Sequence, residues 1–243
     1  MQRMNAPVLT VKLEKLSIQP NDCVLDLGCG EGRHTIGVNY EFPHARVFGV
    51  DLNLADIQTA QKKHRDFSNN TQYVYLQANG FILPFANESF DHIICSEVLE
   101  HIEDYPLVLA EIERVLKPNG HLCVSVPRAW PERICWALSD TYHQVPGGHV
   151  RIFNIKKLRS DIQQLGFQFK QRHWAHALHA PYWWLRCLFW RDDSEQHTIV
   201  NIYHRFLVWD MMKKPWLSQT LEKILNPICG KSTVLYFKKY SNV

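Results

Sequence analysis

Three glycines at alternate positions follow an apolar run in "VLDLGCGEGRH", residues 24–34. An apolar run with a glycine-rich turn is typical of a β-strand that leads into a helix beside a ligand, because glycine lets the backbone turn sharply. The spacing is wrong for a dinucleotide fingerprint, since Arg33 stands where its third glycine would be. Asp26 and Glu31 add carboxylates that would repel a pyrophosphate. The loop therefore predicts a ligand that prefers negative neighbours.

A second acid follows the next predicted strand. The segment "VFGVDLN" places Asp51 where a carboxylate can accept hydrogen bonds from both hydroxyls of a ribose. A ribose together with a cationic group, without a pyrophosphate, describes S-adenosylmethionine, whose methionine half carries an ammonium and a sulfonium. The alternatives are a βα turn without any ligand and an Asp51 that serves only as a helix N-cap.

Four segments, in this order, resemble the class I S-adenosylmethionine-dependent methyltransferases, in particular the small-molecule group with "LPF…FD" and "LEH" motifs. They are "VLDLGCGEG", "VFGVDLN", "LPFANESFDHIICSEVLEHIED" and "EIERVLKPNGHLCVSVP", within about residues 22–127. The resemblance implies S-adenosylmethionine as the cofactor. It also implies that Asp26, Gly28 and Gly30 border the methionine moiety, while Asp51 binds the ribose and Leu52 packs on the adenine.

Two further residues are assigned to the cofactor site. Asn79 stands where the family commonly has an aspartate, but an amide can still accept from the adenine amino group and donate to a ring nitrogen. Glu97 follows the fourth predicted strand, at the sheet edge where ligands bind. Alternatively, Glu97 only stabilises the first turn of a helix through the helix dipole. His101, in the "LEH" motif, is a candidate for contact with the substrate.

The segment "WALSDTYHQVPGGHVRIF" follows the fifth predicted strand and corresponds to the part of the resembled family that meets the acceptor. Tyr142, His143 and His149 are therefore candidates for acceptor contact. His143 or His149 is the predicted general base, because a histidine that titrates near neutral pH can remove a proton from an attacking hydroxyl, amine or thiol. We expect no metal: no regular helix or strand directs the neighbouring histidines at 173, 176 and 179 to one point.

Alternating strands and helices must position these residues. The predicted strands are 24–27, 46–50, 73–77, 92–95 and 121–126, then "FQFKQRHW" and "TVLYFKKY"; the predicted helices are 32–41, 54–67, 105–116 and 156–165. The segment "LKPNG" is expected to end the third helix. The pattern predicts an α/β fold with a doubly wound, mostly parallel, seven-stranded Rossmann-like sheet, in one domain over residues 1–243.

Residues 175–231 separate the last two predicted strands by more than a hairpin requires, which indicates an insertion. Helical spacing and many aromatic residues, among them Trp183, Trp184, Phe189, Trp190, Phe206 and Trp209, predict a helical aromatic insertion. We expect it to act as a lid over an acceptor with substantial apolar or aromatic surface. The alternatives are that the aromatic residues form its own core or a dimer interface, or that "HAPYWWLRCLFWR" contacts a membrane surface, which is not favoured.

Composition limits the remaining choices. A net charge of +3 gives no clear nucleic-acid partner. Seven cysteines without a CxxC pair fit reduced thiols, and no segment resembles a signal peptide, so a cytoplasmic location is expected. The sequence predicts methyl transfer from S-adenosylmethionine to an oxygen, nitrogen or sulfur atom of a small molecule. The alternatives are a non-catalytic adenosylmethionine-fold binding or scaffold protein and an RNA methyltransferase.

Overall fold

Seven strands form one sheet in the computed structural model, which describes residues 8–67, 70–145, 147–190 and 197–241. The strands are β1 (Cys23–Leu27), β2 (Arg46–Asp51), β3 (Tyr73–Gln77), β4 (Phe90–Ser96), β5 (Leu116–Pro127), β6 (Phe167–Ala175) and β7 (Ser232–Lys239). Their order is β3-β2-β1-β4-β5-β7-β6, and β7 runs antiparallel to both β5 and β6 while the other pairs are parallel. The predicted doubly wound, mostly parallel, seven-stranded sheet is confirmed.

Helices connect the strands. They are α1 (Arg33–Glu41), α2 (Leu54–Phe67), α3 (Tyr105–Val115), α4 (Ala129–Leu138), α5 (Asp140–Gln144), α6 (Ile155–Gln164), α7 (Ala180–Leu188), α8 (Thr198–Lys213) and α9 (Trp216–Cys229). All five residues of β1 are buried, as expected for a central parallel strand that is covered on both faces. Leu25 and Leu27 pack on one face of the sheet with residues of α3, and Val24 packs on the other with Leu13 and Leu16.

The segment "LKPNG" ends the third helix, as the sequence predicts, but its residues already belong to a strand. Helix α3 ends at Val115, and β5 begins at once with Leu116, which pairs with Phe90 of β4. The register then shifts before His92 pairs with His121, and Asn119 adopts a left-handed conformation with φ of 63°. The residues between Leu116 and His121 therefore form a bulge in the pairing of β5 with β4, because β5 pairs with β4 on both sides of them.

Three helices, α7 to α9, and a 3₁₀ turn at Ala177–His179 lie between β6 and β7. Helix α7 packs against α4 and α8. Its Cys187 is buried with Cys135 and Tyr142, and the tryptophans Trp136, Trp183, Trp184 and Trp190 pack around them. Phe206 and Trp209 of α8, in contrast, are 36% and 48% exposed. The aromatic residues of the insertion therefore form two sets: one packs against residues of α4 and α5, and the other is exposed.

These helices are of ordinary length for a globular domain. Helix α8, the longest in the described ranges, has 16 residues. Among those same residues, none of the helices combines the length and the apolar character that crossing a membrane requires.

Lys239 joins the end of β7 to the end of α3. Its side chain is 6% exposed, and Nζ donates hydrogen bonds to the backbone oxygens of Glu113, at 2.6 Å, and Leu116, at 3.0 Å. It also pairs with the carboxylate of Glu113 at 2.7 Å. The last carbonyls of a helix lack partners within the helix, so this ammonium satisfies groups that the fold would otherwise bury unpaired.

We predict that Lys239→Met lowers the free energy of unfolding by about 1–3 kcal/mol, because methionine fills the space but leaves the buried carbonyls without a donor. Urea unfolding measures the change. Lys238→Met is the matched control: Lys238 lies on the opposite face of β7 and is less buried, so a change within about 0.5 kcal/mol is expected. Equal unfolding midpoints for the two variants would contradict this role of Lys239.

Candidate active site

The strand order reverses between β1 and β4, and ligands of open α/β sheets bind at the carboxyl ends of the strands beside such a reversal. A cavity of about 900 Å³ opens there, and we call it the edge cavity. The sequence-predicted cofactor residues that line it are Gly28, Gly30, Asp51, Leu52, Asn79 and Glu97. They follow four different strands, and the structure brings all of them together. Their contacts with a cofactor stay predictions.

Gly28 is required where it stands. Its φ is 72°, a left-handed conformation, and its N–H donates to the backbone oxygen of Val50 at 2.7 Å. A Cβ at this position would lie 2.3 Å from Cγ2 of Val98. Any other residue would therefore be strained and would collide with the chain that follows β4.

Asp51 holds the glycine loop against the end of β2. Oδ2 accepts from the Gly30 N–H at 2.8 Å, and Oδ1 accepts from the Asn53 N–H at 2.9 Å. Each carboxylate oxygen has room for about one more hydrogen bond, which leaves both free to meet neighbouring hydroxyls. The side chain of Asn53, not that of Asp51, accepts from the Ala55 N–H in the first turn of α2.

Asp26 does not line the edge cavity. It is buried, and Oδ2 accepts from the Thr35 N–H at 2.9 Å and from the Thr35 hydroxyl at 2.7 Å, which ties β1 to α1. Burial raises the pKa of Asp26 to about 6, although the two hydrogen bonds and the charge of Arg33 oppose the rise. Asp26 therefore stabilises the connection of β1 to α1 on either side of the glycine loop. Its predicted contact with the methionine moiety stays a prediction.

The negative character of the edge cavity comes from residues other than those that suggested it. Glu31 points outward and forms an ion pair with Lys63 of α2. The acids that line the cavity are Asp51, Asp56, Glu97, Glu103 and Asp104, and no lysine or arginine belongs to the described lining. A pyrophosphate would meet only like charge here.

Leu52 and Asn79 flank the part of the cavity beyond Asp51. Leu52 is 67% exposed, so its side chain is accessible to a ligand in the cavity. The amide oxygen of Asn79 accepts from the Phe81 N–H at 3.0 Å, which fixes the side chain and leaves its amide nitrogen to donate to a ligand.

Glu97 occupies a strained position directly after β4. Its φ is 58°, in the left-handed region that glutamate rarely adopts. Ser125 of β5 holds it in place: the Glu97 N–H donates to the Ser125 backbone oxygen at 3.0 Å, and the Ser125 hydroxyl donates to Glu97 Oε1 at 2.9 Å. No α-helix begins here, since a 3₁₀ turn at Leu99–His101 follows. The helix-dipole alternative for Glu97 is therefore wrong.

A smaller cavity of about 270 Å³ shares Glu97 with the edge cavity, and we call it the insertion cavity. The amino-terminal part of the chain contributes Val8, Thr10 and Arg33 to its lining. The segment from the end of β6 to the start of β7 contributes His176, His179, Trp183, Met211, Lys231 and Ser232. Glu97 thus forms a common wall between two spaces, one at the sheet edge and one beneath the insertion.

The predicted general bases do not line either cavity. The ring of His143 stacks on Trp136, with 4.1 Å between centroids. His149 Nδ1 lies 2.6 Å from Glu132 Oε1, and its ring contacts His101 edge to face. His101 does line the edge cavity, and burial, followed by the charge of His149, lowers its pKa. A base role for His143 or His149 stays a prediction.

Two of the three late histidines come together with an acid that the sequence pattern did not indicate. His176, His179 and Glu222 offer ligand atoms within 4.8 Å of one another. His173 instead contacts the backbone oxygen of Thr10 at 3.1 Å. Burial lowers the pKa of His179 to about 4, and the positive charges of Lys231 and Arg33 lower it further. The same charges oppose a metal ion, so these three residues are a poor cation site.

Comparison with known proteins gives one family. A family model described as a methyltransferase domain matches residues 18–180. A curated relative, the demethylmenaquinone methyltransferase of Lactobacillus johnsonii, is 35% identical over 108 residues, which cover 44% of each chain. The matching segment therefore spans less than half the length of that relative.

Solved structures match over nearly the whole chain. The [4+2]-cyclase SpnF has a TM-score of 0.63 at 18% identity, covering 94% of this chain and 79% of its own. Geranyl diphosphate methyltransferase, solved with GPP and sinefungin, has a TM-score of 0.62 at 14% identity, covering 93% and 74%. At these identities the likeness establishes the fold alone.

We predict that Asp26→Asn changes the pH dependence of stability. The folded-state pKa of about 6 exceeds the ordinary 3.8, so the stability that Asp26 contributes is complete below pH 3.8 and is lost as the pH rises through 6. Asparagine cannot titrate. Between pH 4 and pH 7 the unfolding free energy of Asp26→Asn should therefore rise relative to the native chain by up to about 3 kcal/mol. Urea unfolding across this range, with exposed Asp66→Asn as control, tests it; parallel profiles would contradict it.

Proposed function

The chain belongs to the methyltransferase domain family, and we propose that it transfers the methyl group of S-adenosylmethionine to an oxygen, nitrogen or sulfur atom of a small organic acceptor. The observation that carries this proposal is Glu97, which lines both the edge cavity and the insertion cavity. A cofactor in the first and an acceptor in the second would meet at this wall.

The edge cavity suits S-adenosylmethionine in its shape and its charge. The ribose hydroxyls would bond to the free acceptor sites of Asp51, and the adenine would cover the exposed side chain of Leu52 beside Asn79. The methionine half would follow the glycine loop. Because the lining carries carboxylates and no lysine or arginine in its described part, it would attract the ammonium and the sulfonium.

The reaction is an in-line displacement. A lone pair of the acceptor atom forms the bond to the methyl carbon as the carbon–sulfur bond breaks, and that electron pair returns to sulfur as the neutral thioether of S-adenosylhomocysteine. The acceptor loses its proton to a base or to water. Since the leaving group departs without charge, positioning of the two reactants supplies much of the rate.

The lining of the insertion cavity supports a proposal about the kind of acceptor. Trp183 and Met211 give it apolar surface, while Arg33 and Lys231 give it positive charge. We propose an acceptor with apolar or aromatic surface and oxygen-rich polar groups, since a cationic acceptor would be repelled. Helices α7 and α8 supply part of this lining, which supports the lid role of the insertion, and a covered site excludes water from the methyl transfer.

The rival function is a binding or scaffold protein that keeps the fold without the reaction. A solved structure of this fold is described as a [4+2]-cyclase, so the fold alone does not decide the chemistry. Release of S-adenosylhomocysteine on incubation with a small-molecule library separates the two. An RNA acceptor is the remaining alternative.

A cytoplasmic location belongs to this proposal. All seven cysteines carry free thiols, and six of them are buried. Cys135 and Cys187 lie close enough to interact and nevertheless are not bonded to each other. A reducing compartment maintains such a pair as thiols.

We predict that Asp51→Ala weakens S-adenosylmethionine binding by about 1.5–3 kcal/mol, because it removes hydrogen bonds to a charged acceptor. Isothermal calorimetry measures it, with exposed Asp66→Ala as the control and NAD as a ligand that should not bind. Asp51→Asn retains one oxygen and should lie between the two. Unchanged affinity in folded Asp51→Ala would remove Asp51 from the cofactor site.

A pair of tryptophans tests the acceptor cavity. Trp183→Ala should lower methyl transfer at least tenfold, because it opens the wall that positions the acceptor, while S-adenosylmethionine affinity stays within about twofold. Trp209→Ala is the matched control in the same insertion, since Trp209 is exposed and lies outside the lining. The assay counts labelled methyl groups transferred from S-adenosylmethionine to a small-molecule fraction of cell extract. Equal rates for both variants would contradict the assignment.

A further inference from the structure

Three residues on two segments form a cluster beside the edge cavity, and we call it the Glu100 cluster. Glu100 and His101 belong to the 3₁₀ turn after β4, and His149 follows α5. Each offers one ligand atom, and these atoms lie within 4.8 Å of one another. The Val150 N–H donates to the backbone oxygen of Glu100 at 2.9 Å, which holds the two segments together. We propose that the Glu100 cluster binds a divalent transition-metal ion of the zinc type.

Glu100 supplies an independent reason to expect a ligand. Its side chain is 0% exposed, and neither carboxylate oxygen has a hydrogen-bond partner within the part of the chain that the structure describes. Buried carboxylates are almost always paired, because burying one without a partner is costly. A cation held against both imidazoles would provide the missing partner.

Both imidazoles are prepared to coordinate. Glu132, 2% exposed, accepts from His149 Nδ1–H at 2.6 Å, so the lone pair of His149 lies on Nε2. His101 Nδ1–H donates to the backbone oxygen of Gly148 at 3.3 Å, which likewise leaves Nε2 for the ion. A histidine oriented by a carboxylate or a carbonyl through its other nitrogen is the usual arrangement around protein-bound metals. Glu132 is thus a positioning residue.

The donor set selects the ion. Two imidazole nitrogens and one carboxylate suit Zn²⁺ and its neighbours in the first transition series better than Mg²⁺ or Ca²⁺, which prefer oxygen ligands. Three protein ligands leave coordination positions open on the ion. These open positions would face the edge cavity, because His101 lines that cavity.

A consequence for the reaction rests on the proposed function. An acceptor that reached from the insertion cavity past Glu97 would place an oxygen on an open position of the ion, which would lower the pKa of an acceptor hydroxyl and fix its direction of attack. The prediction of no metal considered only the histidines at 173, 176 and 179, because these lie close together in the sequence. Glu100 and His149 are distant in sequence and meet through the fold.

Zinc titration of the full chain, after removal of metals with a chelator, tests the site. The expected result is one Zn²⁺ per chain with micromolar or tighter affinity, and Co²⁺ in its place should give the visible absorption of a coordinated ion. Glu100→Gln should weaken Zn²⁺ binding at least tenfold, and Glu132→Gln, which acts through His149, by about 10–100-fold. His44→Asn, an exposed histidine elsewhere, should change nothing.

Three results would overturn the proposal: no stoichiometric Zn²⁺ in the native chain, unchanged affinity in Glu100→Gln, or loss of the site in His176→Asn with the Glu100 cluster intact. Should Glu100→Gln fold poorly, Glu100→Met replaces it. Removing an unpaired buried carboxylate should raise the melting temperature without metal and abolish the zinc-induced shift. Calorimetry with S-adenosylhomocysteine runs in parallel: a chain that binds Zn²⁺ but not this ligand would reject the proposed function and leave the metal site standing.

Discussion

The close approach of Gly28 to Val98 is the constraint on which the carboxyl edge of the sheet depends. A Cβ at Gly28 would lie 2.3 Å from Cγ2 of Val98, so the residues that follow β1 and β4 lie in contact where the strand order reverses. The contact requires glycine at position 28, the Gly30 N–H two residues later bonds to Asp51, and Glu97 directly precedes Val98. The edge cavity opens beside this contact and is lined by residues at the carboxyl ends of four strands.

Much of the fold could be predicted from the sequence because the buried parallel strands read as short apolar runs. The predicted strands 24–27 and 92–95 correspond to Cys23–Leu27 and Phe90–Ser96, which are almost entirely buried. Asp51 could be placed at the carboxyl edge because it ends a predicted strand, whereas Asn79 was assigned through the resemblance to the methyltransferase family. The "LKPNG" step could not be foreseen, since whether turn residues interrupt a strand depends on the partner across from them.

Side-chain direction limited what the sequence could say about the site. Asp26 and Glu31 suggested the right charge for the edge cavity, but Asp26 faces Thr35 and Glu31 faces Lys63. The acids that line it come after other strands. The cluster of Glu100 with His149 could not be predicted either, because irregular segments have no periodicity that fixes which residues converge. Their approach is set by the hydrogen bond from Val150 to the Glu100 backbone and by the contact of His149 with Glu132 of α4.

The position of β7 carries a consequence for synthesis on the ribosome. Strand β7 lies between β5 and β6 and is the last of the seven to be translated. Until it emerges, β5 has an unpaired edge with open N–H and C=O groups, and β6 has no neighbour in the sheet at all. The nascent chain must therefore keep a five-stranded intermediate from pairing with other chains while α7, α8 and α9 are made. The pairing of β7 with β5 and β6 completes the sheet and ends the interval in which the edge of β5 is open.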